Sequence, residues 1–575
     1  MLLNSNRHTF ICVRELNSMS AYTLLTAPRY RRLCCITCTS SLLFTLFAAI
    51  VAVTYFDQQH NNIIHEYVAR NDDVAILSAT FYNRSRRLAK LLLPIAPDDV
   101  AILSATFYNR SRSFENNTVI LLLNAHQVLQ LKHSELLGVS TNASGSMKTS
   151  FRIYPVVQQI PFYCKWVPFI AVGQVSEGMT SLTLTTGEKG MAVPIRRPYS
   201  ESHDVVACFS PLFLNERWQL LLLTAEVYSY YGAAMHFYVR SMITDLFLIL
   251  TQHRNARVQP WPAVRLGSKR ANSVEFDPNI ELEFRNQAAA MTDCLLLYKE
   301  SAKFIIFPDT DDVIIPRLGR TYLEEFNRIF SMYPDAAAVA YNMTQSGITS
   351  TTAPLSYSPV DVLKSIQFKG ETRWGKIVVR PERTDSAWIH RSYGIRDGYE
   401  QIVVRPERTD SAWIHRSYGI RDGYEQITLP IEMNSALHLR FWDFVNQSQP
   451  FDDPSPEYNP LLANLTGPPL FNNSDLANIQ ENFLSHMQNV MDIYERLPEV
   501  SIYYPLIEQC YNRIFYNGQQ HSKCKGPELC DLPRFPGVRC VNVKSDFETF
   551  EGYDRIFLHR LVNAQFEHSD LGCSL

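Results

Sequence analysis

The sequence predicts an α/β protein built on a mostly parallel sheet with flanking helices, preceded by a β-rich segment and a single transmembrane helix. Three observations carry that prediction. Short apolar runs alternate with helical repeats between residues 205 and 307, polar and acidic residues collect where those runs end, and one long uncharged stretch lies near the N-terminus.

Residues 33–56 contain no charged side chain, and Leu42, Leu43, Phe44, Leu46, Phe47, Ile50, Val51 and Val53 make the second half strongly apolar. At about 1.5 Å per residue such a helix spans a bilayer. Arg29, Arg31 and Arg32 precede it and only Asp57 follows closely, so the positive-inside bias places the N-terminus in the cytosol. A cleaved signal peptide would begin earlier and end on an Ala-x-Ala-like cut, and a buried core helix would be shorter. The expected organisation is a cytosolic tail (1–32), an anchor (33–56), a stem (57–97), a β-rich lumenal segment (98–200), a catalytic α/β domain (201–500) and a Cys-rich C-terminal segment (501–575).

Sequons at Asn83, Asn109, Asn116, Asn142, Asn342, Asn446, Asn464 and Asn472 all follow the apolar stretch, which fits a lumenal chain. Cys34, Cys35 and Cys38 sit at the cytosolic edge of the anchor, where lipid attachment is one reading. Cys510, Cys524, Cys530, Cys540 and Cys573 crowd the C-terminus at spacings that match no zinc pattern, so a disulfide-tied tail is expected, with its connectivity open. With 46% apolar and 19% charged residues the chain is of ordinary globular composition. A net charge of −3 gives no broad positive field for phosphate backbones, which excludes nucleic acid as the expected partner.

Two perfect tandem repeats interrupt the chain. Residues 72–86 recur at 98–112, and residues 377–401 recur at 402–426. Neither has the multiplicity of a solenoid. Either long copy can dock in one place while its twin loops out, because each doubling of loop length costs only about 0.6 kcal/mol. The excess is expected to leave at residues 394–398, with residues 380–390 docked behind Gly375 and Lys376.

The alternation begins with an apolar strand at 205–213 and a helix that Asn215 caps and Glu216 favours electrostatically, stopped by Gly232. A strand at 236–239, a helix at 245–252, a strand at 257–261 and a long helix at 284–299 follow. A short strand at 303–307 then empties into Asp309, Thr310, Asp311 and Asp312. In open α/β sheets ligands bind off the carboxyl ends of the strands. Two carboxylates at i and i+2 in that position can direct oxygens at a hard cation such as Mg²⁺ or Mn²⁺, which neutralises a diphosphate.

Four segments, Ser-Pro-Leu-Phe-Leu-Asn-Glu-Arg-Trp-Gln, Arg-Asn-Gln-Ala-Ala-Ala-Met-Thr-Asp-Cys-Leu, Phe-Pro-Asp-Thr-Asp-Asp-Val-Ile-Ile-Pro-Arg and Gly-Lys-Ile-Val-Val-Arg-Pro-Glu-Arg, occur in that order, and together they resemble glycosyltransferase family 92 over about residues 98–541. The resemblance implies a GT-A fold, a UDP-sugar donor, Mn²⁺, type II Golgi placement and inverting β-galactosyl transfer to a glycan or glycoprotein. Position by position, it implies Asp309 and Asp311 at the metal and diphosphate, with Asp311 the direct ligand. Asn215, Glu216 and Arg217 would border the nucleotide. Gln287 and Asp293 would border the donor pocket or support the metal loop, and His438 matches a third metal ligand. A lone histidine in an apolar segment is as often structural, and His390 has the same status.

An inverting transfer needs a carboxylate to accept the acceptor's hydroxyl proton. Asp385, Glu371 and Glu382 are the candidates, each equally readable as an ion-pair partner of Arg380 or Arg383. Many family members place Glu where Asp312 stands, and the duplication is foreign to the pattern, so an inactive glycan-binding or scaffold relative is the alternative reading. A metal phosphohydrolase would require further metal-spaced ligands for a second ion, and the sequence reading finds none.

Overall fold

The structure, a computed structural model, describes residues 99–575 except 128–135, 157–163, 186–189, 267–276, 373–374, 389–390, 394–424, 432, 445–470, 517–523 and 552–555. The expected anchor, the stem, the cytosolic cysteines, His390 and the first short repeat lie outside the described residues. Among the described residues no helix is long and apolar enough to cross a membrane.

The β-rich segment begins with strands Asp99–Tyr108 and Thr118–His126, which pair antiparallel and are buried on both faces. Alternation divides their side chains. Ile120 and Leu122 pack toward the helix Gln287–Tyr298, whereas Val119, Leu121 and Leu123 pack with Phe151, Leu182 and Leu184. The C-terminal hairpin of Cys540–Glu551 and Phe557–Ser569 completes this same sheet, with Asp99 to Ile102 parallel to Phe557 to Arg560. Residues 98–200 and 501–575, expected as separate segments, therefore share one sheet. His559 Nε2 seals the junction by donating to Asp99 at 2.8 Å in the interior.

The central region contains strands β1 (His203–Leu212), β2 (Ala233–Val239), β3 (Ala256–Pro260), β4 (Ala302–Ile306), β5 (Asp312–Ile314), β6 (Ala336–Ala340), β7 (Asn342–Ser350), β8 (Gln367–Thr372), β9 (Ile377–Val379), β10 (Glu425–Thr428) and β11 (Ser435–Phe444). The central sheet runs β3-β2-β1-β4-β9-β6-β10, and a second sheet runs β5-β11-β7-β8. β3, β2, β1 and β4 run parallel to one another, but β9 is antiparallel to both β4 and β6. The sheet is thus mixed, because the chain returns through β9 after the acidic loop instead of crossing over behind it.

Helices α1 (Trp218–Tyr230), α2 (Thr244–Gln252), α3 (Gln287–Tyr298), α4 (Tyr322–Met332), α5 (Asn473–Gln488) and α6 (Tyr503–Tyr511) surround these sheets. The helix expected at 284–299 begins only at Gln287, since Phe284, Arg285 and Asn286 have φ of 43°, 58° and 65°. Asn215 does not cap α1; it bridges to Met242, and Arg217 occupies the cap position without a side-chain hydrogen bond.

The eight cysteines among the described residues are all paired, as Cys164–Cys524, Cys208–Cys294, Cys510–Cys530 and Cys540–Cys573. Cys524 leaves the tail to reach Cys164, while Cys208–Cys294 fastens β1 to α3. The first long copy supplies β9, the turn Pro381–Arg383 and the hairpin Ser386–Trp388 with Arg391–Tyr393. Arg383 fixes it by donating to Ala336 O at 3.1 Å. The end of the second copy, Glu425 and Gln426, begins β10, and the expected exit at 394–398 lies outside the described residues.

Candidate functional site

β4 ends the parallel half of the sheet, and the chain leaves its carboxyl edge as Pro308, Asp309, Thr310 and Asp311 before Asp312 begins β5. Thr224 and Tyr228, one turn apart on α1, hold this loop by donating to Thr310 O at 2.6 Å and Asp312 O at 3.0 Å. Leu439 N donates to Asp311 O at 2.7 Å from the other side. β5 and β11 are antiparallel with Asp312 directly opposite His438, so strand register delivers the histidine to the acidic loop.

His438 Nδ1 lies 2.9 Å from Asp312 and 3.8 Å from Asp311. Ligand atoms of Asp311, Asp312 and His438 all fall within 4.8 Å of one another. Asp309 is not in that triad. Its carboxylate accepts from Gln287 Nε2 at 2.9 Å and pairs with Lys376 Nζ at 2.5 Å, and Lys376 also reaches Asp312 at 3.0 Å. Asp309, expected with Asp311 at a metal, lies against Gln287 and Lys376, while Asp312 stands with Asp311 and His438.

Burial dominates the electrostatics of the loop. Desolvation, with Asp312 and Asp309 adding to it and His438 opposing, pushes the Asp311 carboxyl up to about 6. Because 32% of that side chain is open to solvent, water screens part of the effect, and the upward direction is what the geometry fixes. Burial disfavours the His438 imidazolium, yet Asp311 and Asp312 prevail and raise it to about 9. Burial likewise opposes the Lys376 charge, and Asp309 and Asp312 together raise it above the ordinary value. This cluster of three carboxylates against one lysine and one histidine is suited to a further cation.

On the neighbouring strand end, Leu214 takes φ of 45° and its N donates to Ser241 Oγ at 2.8 Å. Glu216, expected beside the nucleotide, is buried there with its carboxylate turned to the protein backbone. It accepts from the backbone N–H groups of Ile502, Tyr503 and Tyr504 at 2.8, 2.7 and 2.8 Å, and so caps the start of α6. Arg217 stacks 3.0 Å over Tyr504 and 5.8 Å from Trp442, within electrostatic reach of Asp311. Asn215 is half-buried, and its side-chain oxygen is enclosed without a hydrogen-bond partner.

Four further expected residues lie outside the triad. Asp293 forms a buried ion pair with Arg196 and accepts from Ser104 and Tyr238, each at 2.8 Å, so it clamps α3 to the N-terminal sheet. Asp385 pairs at 2.9 Å with Lys299, which is fully buried and also bonds Pro381 O and Thr384 O, and this bars it from acting as a base. Glu382 lies 3.9 Å from Arg383. Glu371 sits on β8 opposite Thr344, and its side chain lies outside the described residues.

Lys376 and Arg285 are the cations that sequence reading passed over. Lys376 follows Gly375, where any Cβ would overlap the Tyr341 carbonyl oxygen; a Gly-Lys pair opening a fully apolar strand was the available signal. Arg285 stacks 3.8 Å from Phe213 and feels Asp309, from the left-handed run that no local pattern announces.

A mixed α/β sheet with a cation-seeking acidic cluster at its carboxyl edge belongs to the class of enzymes that handle charged ligands off strand ends. A family profile described as Glycosyltransferase family 92 matches residues 203–402. A family 92 protein of Caenorhabditis elegans is 48% identical over 92% of this chain and 95% of its own length. A second from that organism is 30% identical over 88% of this chain and 90% of its own. The chain belongs to glycosyltransferase family 92. It is accordingly a glycosyltransferase, with a nucleotide-sugar donor and a glycan acceptor. A solved UDP-glucose pyrophosphorylase bound to UDP-glucose aligns with 31% of this chain and 77% of its own at 9% identity and a TM-score of 0.16, a level that carries no argument.

Proposed function

We propose that this glycosyltransferase uses a UDP-sugar, UDP-galactose in particular, and transfers the sugar with inversion to a glycan in the Golgi lumen, anchored as a type II single-pass membrane protein. The observation that supports the metal-dependent reading is the register of β5 against β11, which sets His438 beside Asp311 and Asp312. One nitrogen and two carboxylates with surplus negative charge fit Mn²⁺ or Mg²⁺. Such an ion, when bound, supplies charge neutralisation for the departing diphosphate.

The chain's own residues do the positioning. Gln287 and Lys376 fix Asp309, and with it the turn that aims Asp311 outward. Arg217 adds a second cation on the same side, stacked so that its charge is held in place. For the proton of the acceptor hydroxyl, Glu371 on β8 is carried forward as the accepting carboxylate, since Asp385 is neutralised by Lys299.

The test is a panel of UDP-sugars assayed for release of UDP with and without Mn²⁺, using the full-length chain and its Asp311→Ala variant. Turnover with UDP-galactose that needs Mn²⁺ and Asp311 supports the proposal. Absence of metal-dependent turnover with every donor would defeat it.

A further inference from the structure

Away from the acidic loop, three elements converge on a buried carboxylate. Glu226 lies on α1 two residues from both Thr224 and Tyr228, so at about 100° per residue it points to another face of the helix from the one holding the loop. His253 immediately follows α2, and His486 lies in the last turn of α5. His486 Nδ1 donates to Glu226 Oε1 at 2.8 Å, and His253 Nε2 stands 3.7 Å from the same oxygen. The two imidazoles meet edge to face at 4.6 Å.

Two atoms in this cluster have no hydrogen-bond partner. Glu226 Oε2 and His253 Nε2 are both buried, in side chains only 1% and 6% exposed. Buried carboxylate oxygens and ring nitrogens are paired as a rule, and a shared cation satisfies several at once. Ligand atoms of the three residues lie within 4.8 Å of one another. Metal bonds of about 2.0–2.1 Å at tetrahedral angles require ligand separations of roughly 3.4 Å, which the 2.8 and 3.7 Å spacings bracket.

We propose that Glu226, His253 and His486 form a second divalent-metal site, of the zinc class, distinct from the acidic cluster at the sheet edge. Two imidazoles and one carboxylate suit Zn²⁺ better than the hard cations favoured by oxygen-rich sets. His486, the most exposed of the three, leaves the fourth position toward solvent for water. The ion ties α1, the end of α2 and α5 together, and braces the helix whose other face holds Thr310 and Asp312. A His253 ring ligating through Nε2 carries its proton on Nδ1, so it gives up the long 3.3 Å contact from the Asn255 amide.

The competing arrangement is a metal-free carboxylate gripped by two histidines, and metal analysis separates the two. The full-length chain, purified without chelators, is analysed for bound zinc beside Asp311→Ala, which removes a ligand of the other cluster, and His486→Gln, chosen because that residue is nearest the surface. One zinc per chain in the wild type and in Asp311→Ala, with affinity lowered at least about 100-fold in His486→Gln, supports the site. Co²⁺ added to chelator-treated protein should give a tetrahedral visible band that Glu226→Gln abolishes. No zinc retained and no zinc-dependent rise in Tm would overturn the proposal. Equal zinc in wild type and a folded His486→Gln variant would overturn it as well.

Discussion

His438 faces Asp312 across the β5–β11 ladder, 126 residues later in the chain, with Nδ1 2.9 Å from the carboxylate. Register alone produces the contact. A slip of one residue in β11 would put Leu437 or Leu439 opposite Asp312 and turn the imidazole to the other face. Replacing His438 with Gln is therefore expected to weaken metal-dependent turnover by about 10- to 1,000-fold while leaving the strand pairing intact. Asp311→Ala should cost at least about 100-fold, as loss of a principal electrostatic group does. Kinetics across a Mn²⁺ titration check both, and unchanged activity in Asp311→Ala would remove that residue from the site.

Lys376 is the counter-charge that lets Asp309 and Asp312 coexist beside Asp311. Lys376→Met leaves Asp312, which is fully buried, without its lysine, and loss of one partner from a buried pair costs about 3–5 kcal/mol. Asp309 is 29% exposed and contributes less. Urea unfolding should show the destabilisation. Gly375→Ala should reproduce much of it without touching a charge, because the added methyl collides with the Tyr341 carbonyl and displaces the lysine backbone.

What the sequence disclosed and what it withheld divide along contact distance. Strands and helices from His203 to Ile306 were legible because apolar periodicity is local, and the acidic triplet was legible because it directly follows a buried strand. The capping role of Glu216 was hidden because the N–H groups it accepts from belong to residues 502–504, and no local pattern reports a helix docking from so far along the chain. Asp385 failed as a base for the same reason, its lysine lying 86 residues upstream. Asp293 resembles a site residue in motif, but its partners Ser104, Arg196 and Tyr238 come from three other elements. His438 was reachable only through family resemblance, since a histidine between two leucines carries no metal signature of its own.

Asp293 also predicts how the fold responds to acid. Burial alone would raise its carboxyl, but the Arg196 charge and the hydrogen bonds from Arg196, Ser104 and Tyr238 hold it below the ordinary 3.8. A depressed folded-state pKa contributes stability that is fully present above about pH 4 and is lost as pH falls through the folded value. Asp293→Asn should therefore be less stable than the wild type at neutral pH, with the gap narrowing below about pH 4. Thermal unfolding of both chains from pH 7 to pH 2 measures this, and parallel curves would contradict it.

The long repeat gives the last prediction. The first copy already forms β9, the Pro381–Arg383 turn and the Ser386–Trp388 hairpin strand, while the second contributes only Glu425 and Gln426 to the start of β10. Because the copies are identical, deleting residues 402–426 places Glu400 and Gln401 directly before Ile427 and restores the same β10 sequence. The connection from Tyr393 to β10 becomes roughly fivefold shorter, and at about 0.6 kcal/mol per doubling the closure cost falls by about 1.4 kcal/mol. The deletion should raise Tm by a few degrees and leave turnover within about threefold. A deletion variant that loses β10 pairing or activity would instead mean that the second copy, or the length it adds, is required for the fold or for turnover.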